Sequence, residues 1–299
     1  MAEPLWQATE KQTEFLSASE FEVLYGGAAG GGKSDGLLID ALGLQQRAIA
    51  NPIYRGLIIR KSFPQLRELI DRSKTIYPEV MPGAFYHETS REWWFPSGAK
   101  IEFGHLASPA DKIMYQGRQF QWVGWDELTH WATPEAYEYL LSRVRSPDPA
   151  LRRYVRATTN PGGPGHKWVM ERWQIPTSGE ASRVDLNIEG TVITRRFIPA
   201  RLTDNPYLAN SGYRETLLTL REDERRALLD GRWDIASVKG AYYIKEIEQA
   251  RKDGRICKVP VLPNVPVNTF WDIGWNDTFG STGTLQILPS LRACSISLM

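Results

Sequence analysis

Residues 23–38, VLYGGAAGGGKSDGLL, constrain this chain more than any other stretch. An apolar run enters five glycines, then Lys33 and Ser34, then a pattern with helical spacing. Gly27 through Ser34 fits G-x-x-x-x-G-K-[ST], with Gly30 and Gly32 inside it. Glycines at these positions let backbone N–H groups curl around a β-phosphate. Lys33 would reach the β- and γ-phosphates, and the Ser34 hydroxyl would ligate Mg²⁺. The N-terminus of the following helix adds a dipole that favours the anion.

The flanking pattern places this loop in an α/β sheet. Residues 21–27, 56–60, 120–127 and 153–161 read as strands, and residues 92–104 as a hairpin around Pro96-Ser97-Gly98. Residues 34–47, 64–77 and 134–144 read as helices, with Pro64 opening the second. Strands alternating with helices imply a mainly parallel sheet covered on both faces. After Thr203 the texture changes: residues 211–233 are helical, charged and closed by Gly231, as expected of a small lid. Residues 258–268 carry three prolines and read as a linker. The expected layout is a core over 1–200, a lid over 201–240, a linker over 241–268 and the start of something new over 269–299.

Bulk properties exclude several classes. The 299 residues suffice for one large or two medium domains, and 42% hydrophobic content allows a sizeable core. A net charge of +1 leaves no global electrostatic footprint for nucleic acid, so any such contact must be local or transient. Cys257 and Cys294 are far apart and suit a reducing compartment. No run of about 18 apolar residues is present, so no membrane span is expected.

A phosphate loop needs a metal-holding acid and, for hydrolysis, a base. FQWVGWDE (120–127) offers both: Asp126 at a strand end could hold Mg²⁺ through water, and Glu127 could orient the attacking water. A small-molecule kinase would not need that base. A solvated acidic turn is the alternative. Thr158, Thr159 and Asn160 close the next strand and would lie beside the loop if that strand sits between the other two. They could sense the γ-phosphate, or simply cap a turn. Gln12 could read an adenine edge. Arg118 could be delivered to a neighbouring subunit's γ-phosphate, with Arg60, Lys61, Arg143 and Arg145 as competitors. Residues 142–156 hold five arginines and one aspartate, the best local candidate for a phosphate-backbone contact or a solvated loop. His87, His105, His130 and His166 fall at no metal-ligand spacing and read as packing or surface residues.

In order, WQATEKQTEFL, YGGAAGGGKS, LIIRKSFPQLRELI, YQGRQFQWVGWDELTHW, RATTNPGGPGHKW, RLTDNPYL and LLDGRWD span most of residues 5–235. The ordered set resembles the large terminase subunit of tailed bacteriophages. The resemblance implies a P-loop NTPase core of the ASCE type with a small lid, followed by an RNase H-like nuclease. It implies ATP-driven packaging of double-stranded viral DNA into a procapsid, and cutting of the concatemer. It makes Lys33 and Ser34 phosphate and Mg²⁺ ligands, Asp126 and Glu127 the metal-binding and water-activating pair, and Thr158, Thr159 and Asn160 the coupling motif. Gln12 corresponds to the adenine reader and Arg118 to an arginine used in trans. Expected partners are the portal protein, a small terminase subunit and further copies in a ring, in the host cytoplasm. A helicase-like ATPase and a catalytically silent assembly component remain the alternatives.

FWDIGWNDT resembles the first strand of the family's nuclease, with Asp272 as its first metal-binding carboxylate. That chemistry needs several acids around two Mg²⁺ or Mn²⁺ ions. No Asp or Glu follows Asp277, and only 59 residues follow Gly240. The expectation is therefore an incomplete nuclease, with a tail that looks like a shifted reading frame or an abnormal terminus.

Overall fold

Six parallel strands form the centre of the protein, and antiparallel strands close both edges. The computed structural model describes residues 6–208, 211–234, 249–250 and 253–255. In chain order the elements are α1 (Glu10–Ser17), β1 (Glu22–Gly27), α2 (Lys33–Ala41), β2 (Arg55–Arg60), α3 (Phe63–Val80), β3 (Phe85–His87), β4 (Glu92–Trp94) and β5 (Lys100–His105). They continue with β6 (Trp122–Trp125), α4 (Glu135–Leu141), β7 (Tyr154–Thr159), α5 (His166–Trp173), β8 (Ser182–Ile188), β9 (Thr191–Ala200), α6 (Tyr213–Leu218) and α7 (Glu222–Leu228). The nine strands run β3-β4-β5-β2-β6-β7-β1-β9-β8.

Side chains alternate across the sheet with period two, which divides the core into two layers. Val23, Tyr25, Ile58 and Trp122 pack with Phe15, Leu38 and Leu66 on one face. Leu24, Leu57, Ile59, Val123 and Trp125 pack with Tyr137, Val169 and Trp173 on the other. Covering both faces is why β1 is buried at every position. Trp93, Trp122 and Trp125 are core residues, whereas Trp94 is 36% exposed and stacks on His87.

Several expected boundaries move for local reasons. The helix after the phosphate loop stops at Ala41 rather than 47, because Gly43 turns left-handed at φ 54° and donates to Asp40 O at 2.9 Å. Helix α3 runs on to Val80 through Pro78. The β4–β5 hairpin turns at Pro96-Ser97-Gly98, with Gly98 donating to Phe95 O at 2.8 Å. The β8–β9 hairpin is absent from the sequence-based expectation; Glu189 and Gly190 form its tip, both at positive φ.

Part of the arginine-rich stretch is structural. Arg156 is fully buried, 3.5 Å from the Asp40 carboxylate, and donates to Ala18 O at 2.8 Å. Arg152 donates to the carbonyls of Ala18 and Glu20. Two of the five arginines that read as phosphate-backbone candidates therefore hold α1 and the start of β1 against β7.

The chain divides into two units, Met1–Lys239 and Gly240–Met299. Of the second, residues 249–250 and 253–255 are described, a turn in which Asp253 N donates to Gln249 O at 2.9 Å. Most of the expected linker and all of residues 269–299, including Asp272, lie outside the described residues. Among the described residues, no helix is long and apolar enough to cross a membrane.

Candidate functional site

The phosphate loop leaves β1 at Gly27 and enters α2 at Lys33. Gly27 needs its missing side chain: at φ 125° a Cβ would stand 2.8 Å from Ala200 O. Gly32 begins α2 in the left-handed region, φ 70°, which favours glycine. The loop's carbonyls are held from outside. Asn205 Nδ2 donates to Gly30 O at 2.7 Å, the Tyr25 hydroxyl to Gly31 O at 2.9 Å, and Gln12 Nε2 to Gly32 O at 2.8 Å. C=O and N–H point to opposite sides of a trans peptide. Holding these three carbonyls therefore turns the N–H groups of Gly31, Gly32 and Lys33 the other way, into an arrangement suited to an anion. Earlier in the loop, Ala28 N donates to Ala200 O at 2.8 Å and Ala29 N to Leu228 O at 2.7 Å. The last turn of α7 thus touches the loop directly.

Lys33 is buried and its Nζ donates to Ala28 O at 2.6 Å. Burial pulls its pKa down, and the carboxylates of Glu127 and Asp126 oppose that pull. Ser34 is exposed at the start of α2 and lines a cleft of about 300 Å³. Residues 29–35, Glu127, Asn160, Asn205 and Leu208 form its walls. Asp35 on α2 accepts both Nε and Nη2 of Arg72, at 2.9 and 2.6 Å, which ties α2 to α3.

Strand β7 does sit between β6 and β1, so the ends of β6 and β7 meet beside the loop. Asp126 is 1% exposed. Its Oδ1 accepts the Thr158 hydroxyl at 2.5 Å. Its Oδ2 has Arg60 Nη1 at 3.1 Å, a charge contact without an aligned hydrogen bond, while the same Nη1 donates to Gln65 O. Burial pushes the Asp126 pKa up to about 6; Arg60 holds it down and Glu127 adds to the rise. Glu127 has φ 57°, an uncommon conformation for a residue with a side chain. Asn160 Nδ2 donates to its Oε1 at 3.2 Å. Thr159 and Thr129 hydroxyls are 2.8 Å apart.

The structure thus brings Lys33, Ser34, Asp126, Glu127, Thr158 and Asn160 to one place. Thr159 stands behind them, on Thr129. Gln12 is buried beneath the loop, with its amide oxygen accepting from Thr9 N at 2.9 Å and its nitrogen on Gly32 O. Arg118 is outside the cleft: its guanidinium pairs with Glu102 of β5 and lies 5.1 Å from the Phe120 ring centre. Arg60, which sequence suggests only as a group reaching a neighbour, faces this chain's own Asp126. Sequence spacing assigns a role to neither Tyr25 nor Asn205. Asn205 lies in RLTDNPYL, and only the fold shows that this segment reaches the loop.

A hard cation fits these donors. The Ser34 hydroxyl is open to the cleft, and the buried carboxylate of Asp126 has an oxygen with no hydrogen-bond partner. Among the described residues no group of three His, Cys, Asp or Glu could hold a metal by itself.

No family model and no curated protein matches the sequence. Solved structures do match. The large terminase from a thermophilic bacteriophage, in complex with ATP-gamma-S, aligns with a TM-score of 0.53 at 15% identity, covering 75% of this chain and 52% of that one. A second crystal form of the same terminase aligns with a TM-score of 0.56 at 13% identity, over 76% of this chain and 54% of that one. The ATPase domain of the large terminase from a Thermus phage aligns with a TM-score of 0.52 at 17% identity, over 76% of this chain and 94% of that domain. This chain spans about half the length of the first of these terminases, 52% to 54%. The sheet, its phosphate loop and these alignments together establish that the chain has the P-loop fold of the bacteriophage large-terminase ATPase domain.

Proposed function

We propose that the chain belongs to the large terminase subunits and hydrolyses ATP to move double-stranded viral DNA into a procapsid. One observation carries the proposal: β6 and β7 deliver an acid, a glutamate and an asparagine to a phosphate loop whose N–H groups are turned by outward-held carbonyls. In this reading Lys33 leaves the Ala28 carbonyl for the β- and γ-phosphates. The N–H groups of Gly31, Gly32 and Lys33 take the β-phosphate. Ser34 and Asp126 hold Mg²⁺, which neutralises phosphate charge. Glu127 orients and polarises the attacking water. Asn160, whose Nδ2 donates to Glu127 Oε1, would register whether the glutamate has turned toward that water.

Gln12 supports the loop from below and remains the proposed adenine reader through the second N–H of its amide. Arg118 remains the proposed arginine acting between copies in a ring; to do so it must leave Glu102. The portal protein and a small terminase subunit are the further proposed partners. Asp272 and the nuclease expectation lie outside the described residues, and the proposal concerns the ATPase.

The test is steady-state ATP hydrolysis by the purified chain, with and without linear double-stranded DNA, beside Glu127→Gln. Turnover that DNA raises and the variant lacks supports the motor. A chain that binds ATP and never turns it over, even with DNA, refutes it in favour of a silent assembly component.

A further inference from the structure

His166 reads in sequence as an ordinary packing residue, and its surroundings assign it more. It opens α5, directly after the glycine-rich loop that follows Asn160. Its Nδ1 accepts from Gly162 N at 2.9 Å, and its Nε2 lies 3.1 Å from Trp233 O. A backbone N–H can only donate and a carbonyl can only accept. The two partners therefore require a neutral ring protonated at Nε2. Burial also lowers its pKa, which keeps the ring neutral. The imidazole stacks on the Trp233 indole, with centroids 4.9 Å apart and planes at 27°.

Trp233 is 1% exposed and is itself fixed. Its backbone N–H donates to Thr177 O at 2.9 Å, and its ring meets Phe197 of β9 edge-on at 5.8 Å. Two residues earlier, Gly231 presses on the phosphate loop: at φ 65°, a Cβ there would stand 3.0 Å from Ala28 N. On its other side, a Cβ on Gly179 would stand 2.2 Å from Gly231 O. Residues 229–234, the strap that leaves the lid, therefore touch the phosphate loop at one end and His166 at the other.

We propose that His166 is a positioning residue, a clamp that passes movement of the Asn160–Gly163 loop to Trp233 and the strap. The proposal rests on the ATPase reading. Asn160 Nδ2 donates to Glu127 Oε1 at 3.2 Å. When that bond is exchanged, the loop shifts, and Gly162 is two residues away. The rigid ring has one nitrogen on the loop and the other on the strap, so a shift cannot be absorbed without moving Trp233 or breaking a bond. The same strap lies on Ala28, so the two halves of the nucleotide site are joined through it.

Nitrogen-15 imidazole spectra of the intact chain test this directly, with His166 assigned by its loss in His166→Asn. We expect the neutral Nε2–H form in the free protein, and a changed His166 signal on adding Mg²⁺–ATP-gamma-S. In Asn160→Ala the change should be lost although the nucleotide still binds. Kinetics supply a second reading. His166→Ala should lower turnover about tenfold while the nucleotide dissociation constant stays within about threefold. His166→Asn keeps an acceptor for Gly162, and His166→Gln a donor for Trp233; each should restore only part of the rate. A protonated or Nδ1–H ring, or a signal indifferent to bound nucleotide, overturns the clamp, as does unchanged turnover in His166→Ala. Failure of the wild-type chain to bind the nucleotide overturns the ATPase reading, and the clamp falls with it.

Discussion

Asp126→Asn should make the nucleotide-free protein more stable while removing its activity. Asp126 is 1% exposed, and burial raises its pKa from 3.8 to about 6 although Arg60 stands beside it. The folded state thus binds the proton more tightly than the unfolded chain. The cost of the charge is complete above about pH 6 and disappears as pH falls from there through 3.8. From 3.8 to about 6 corresponds to about 3 kcal/mol. The attraction of Arg60 is already contained in that shift, so it is not subtracted again. Relaxation around the buried carboxylate reduces the gain to about 2 kcal/mol, or roughly 4–8 °C in Tm for a domain of this size. Asparagine keeps an oxygen for the Thr158 hydroxyl, so the change isolates the charge. Differential scanning calorimetry of both proteins in EDTA, from pH 4 to 8, measures it. The variant should melt higher at pH 7.5, and the two curves should converge near pH 4. Mg²⁺–ATP should narrow or reverse the order, because only the wild type holds the cation well. Equal melting at pH 7.5, or a gap that widens toward pH 4, would refute the argument that burial governs this carboxylate.

Three further outcomes follow from the same site. Lys33→Ala removes the proposed charge-assisted contact to phosphate and should weaken ATP binding about tenfold or more, read by titration with a fluorescent nucleotide. Thr158→Val leaves the buried Asp126 Oδ1 without its donor; it should cost about 1–3 kcal/mol in urea unfolding and lower turnover. Arg118→Ala should abolish hydrolysis and spare binding, and mixing it with Glu127→Gln should restore some activity, as only an arginine acting between copies can; normal hydrolysis by Arg118→Ala alone ends that assignment.

Much of the site is legible in the sequence because its parts are short contiguous patterns. A phosphate-loop pattern announces itself by glycine spacing, and an apolar strand ending in Asp126-Glu127 announces two carboxylates beside it, whose roles as acid and base are proposed. The β8–β9 hairpin escapes such a reading, although Glu189-Gly190 is a two-residue turn at positive φ between alternating residues. Its strands carry so many charges that the alternation is hidden: Arg183, Asp185, Arg195 and Arg196 all lie on them. The arginine-rich stretch misleads for the opposite reason. A run of like charge looks solvated in sequence, yet Arg156 is buried against Asp40, which lies on a helix more than a hundred residues earlier.

By itself the sequence determined the fold class, the glycine-rich turn between the first strand and the helix after it, and which acid follows which strand. These depend on local spacing, which the backbone turns into strand, loop and helix without outside help. The tertiary structure alone decided which groups meet. Tyr25, Gln12 and Asn205 converge on three carbonyls of one loop, Arg60 faces Asp126, and His166 joins Gly162 to Trp233. The strand order, with β7 between β6 and β1, brings Thr158 and Asn160 to Asp126 and Glu127. Apart from Tyr25 on Gly31 and Gly162 on His166, these contacts join groups 20 to 175 residues apart and leave no periodic trace in a single chain, because what fixes them is the register of the sheet and the packing of its two faces.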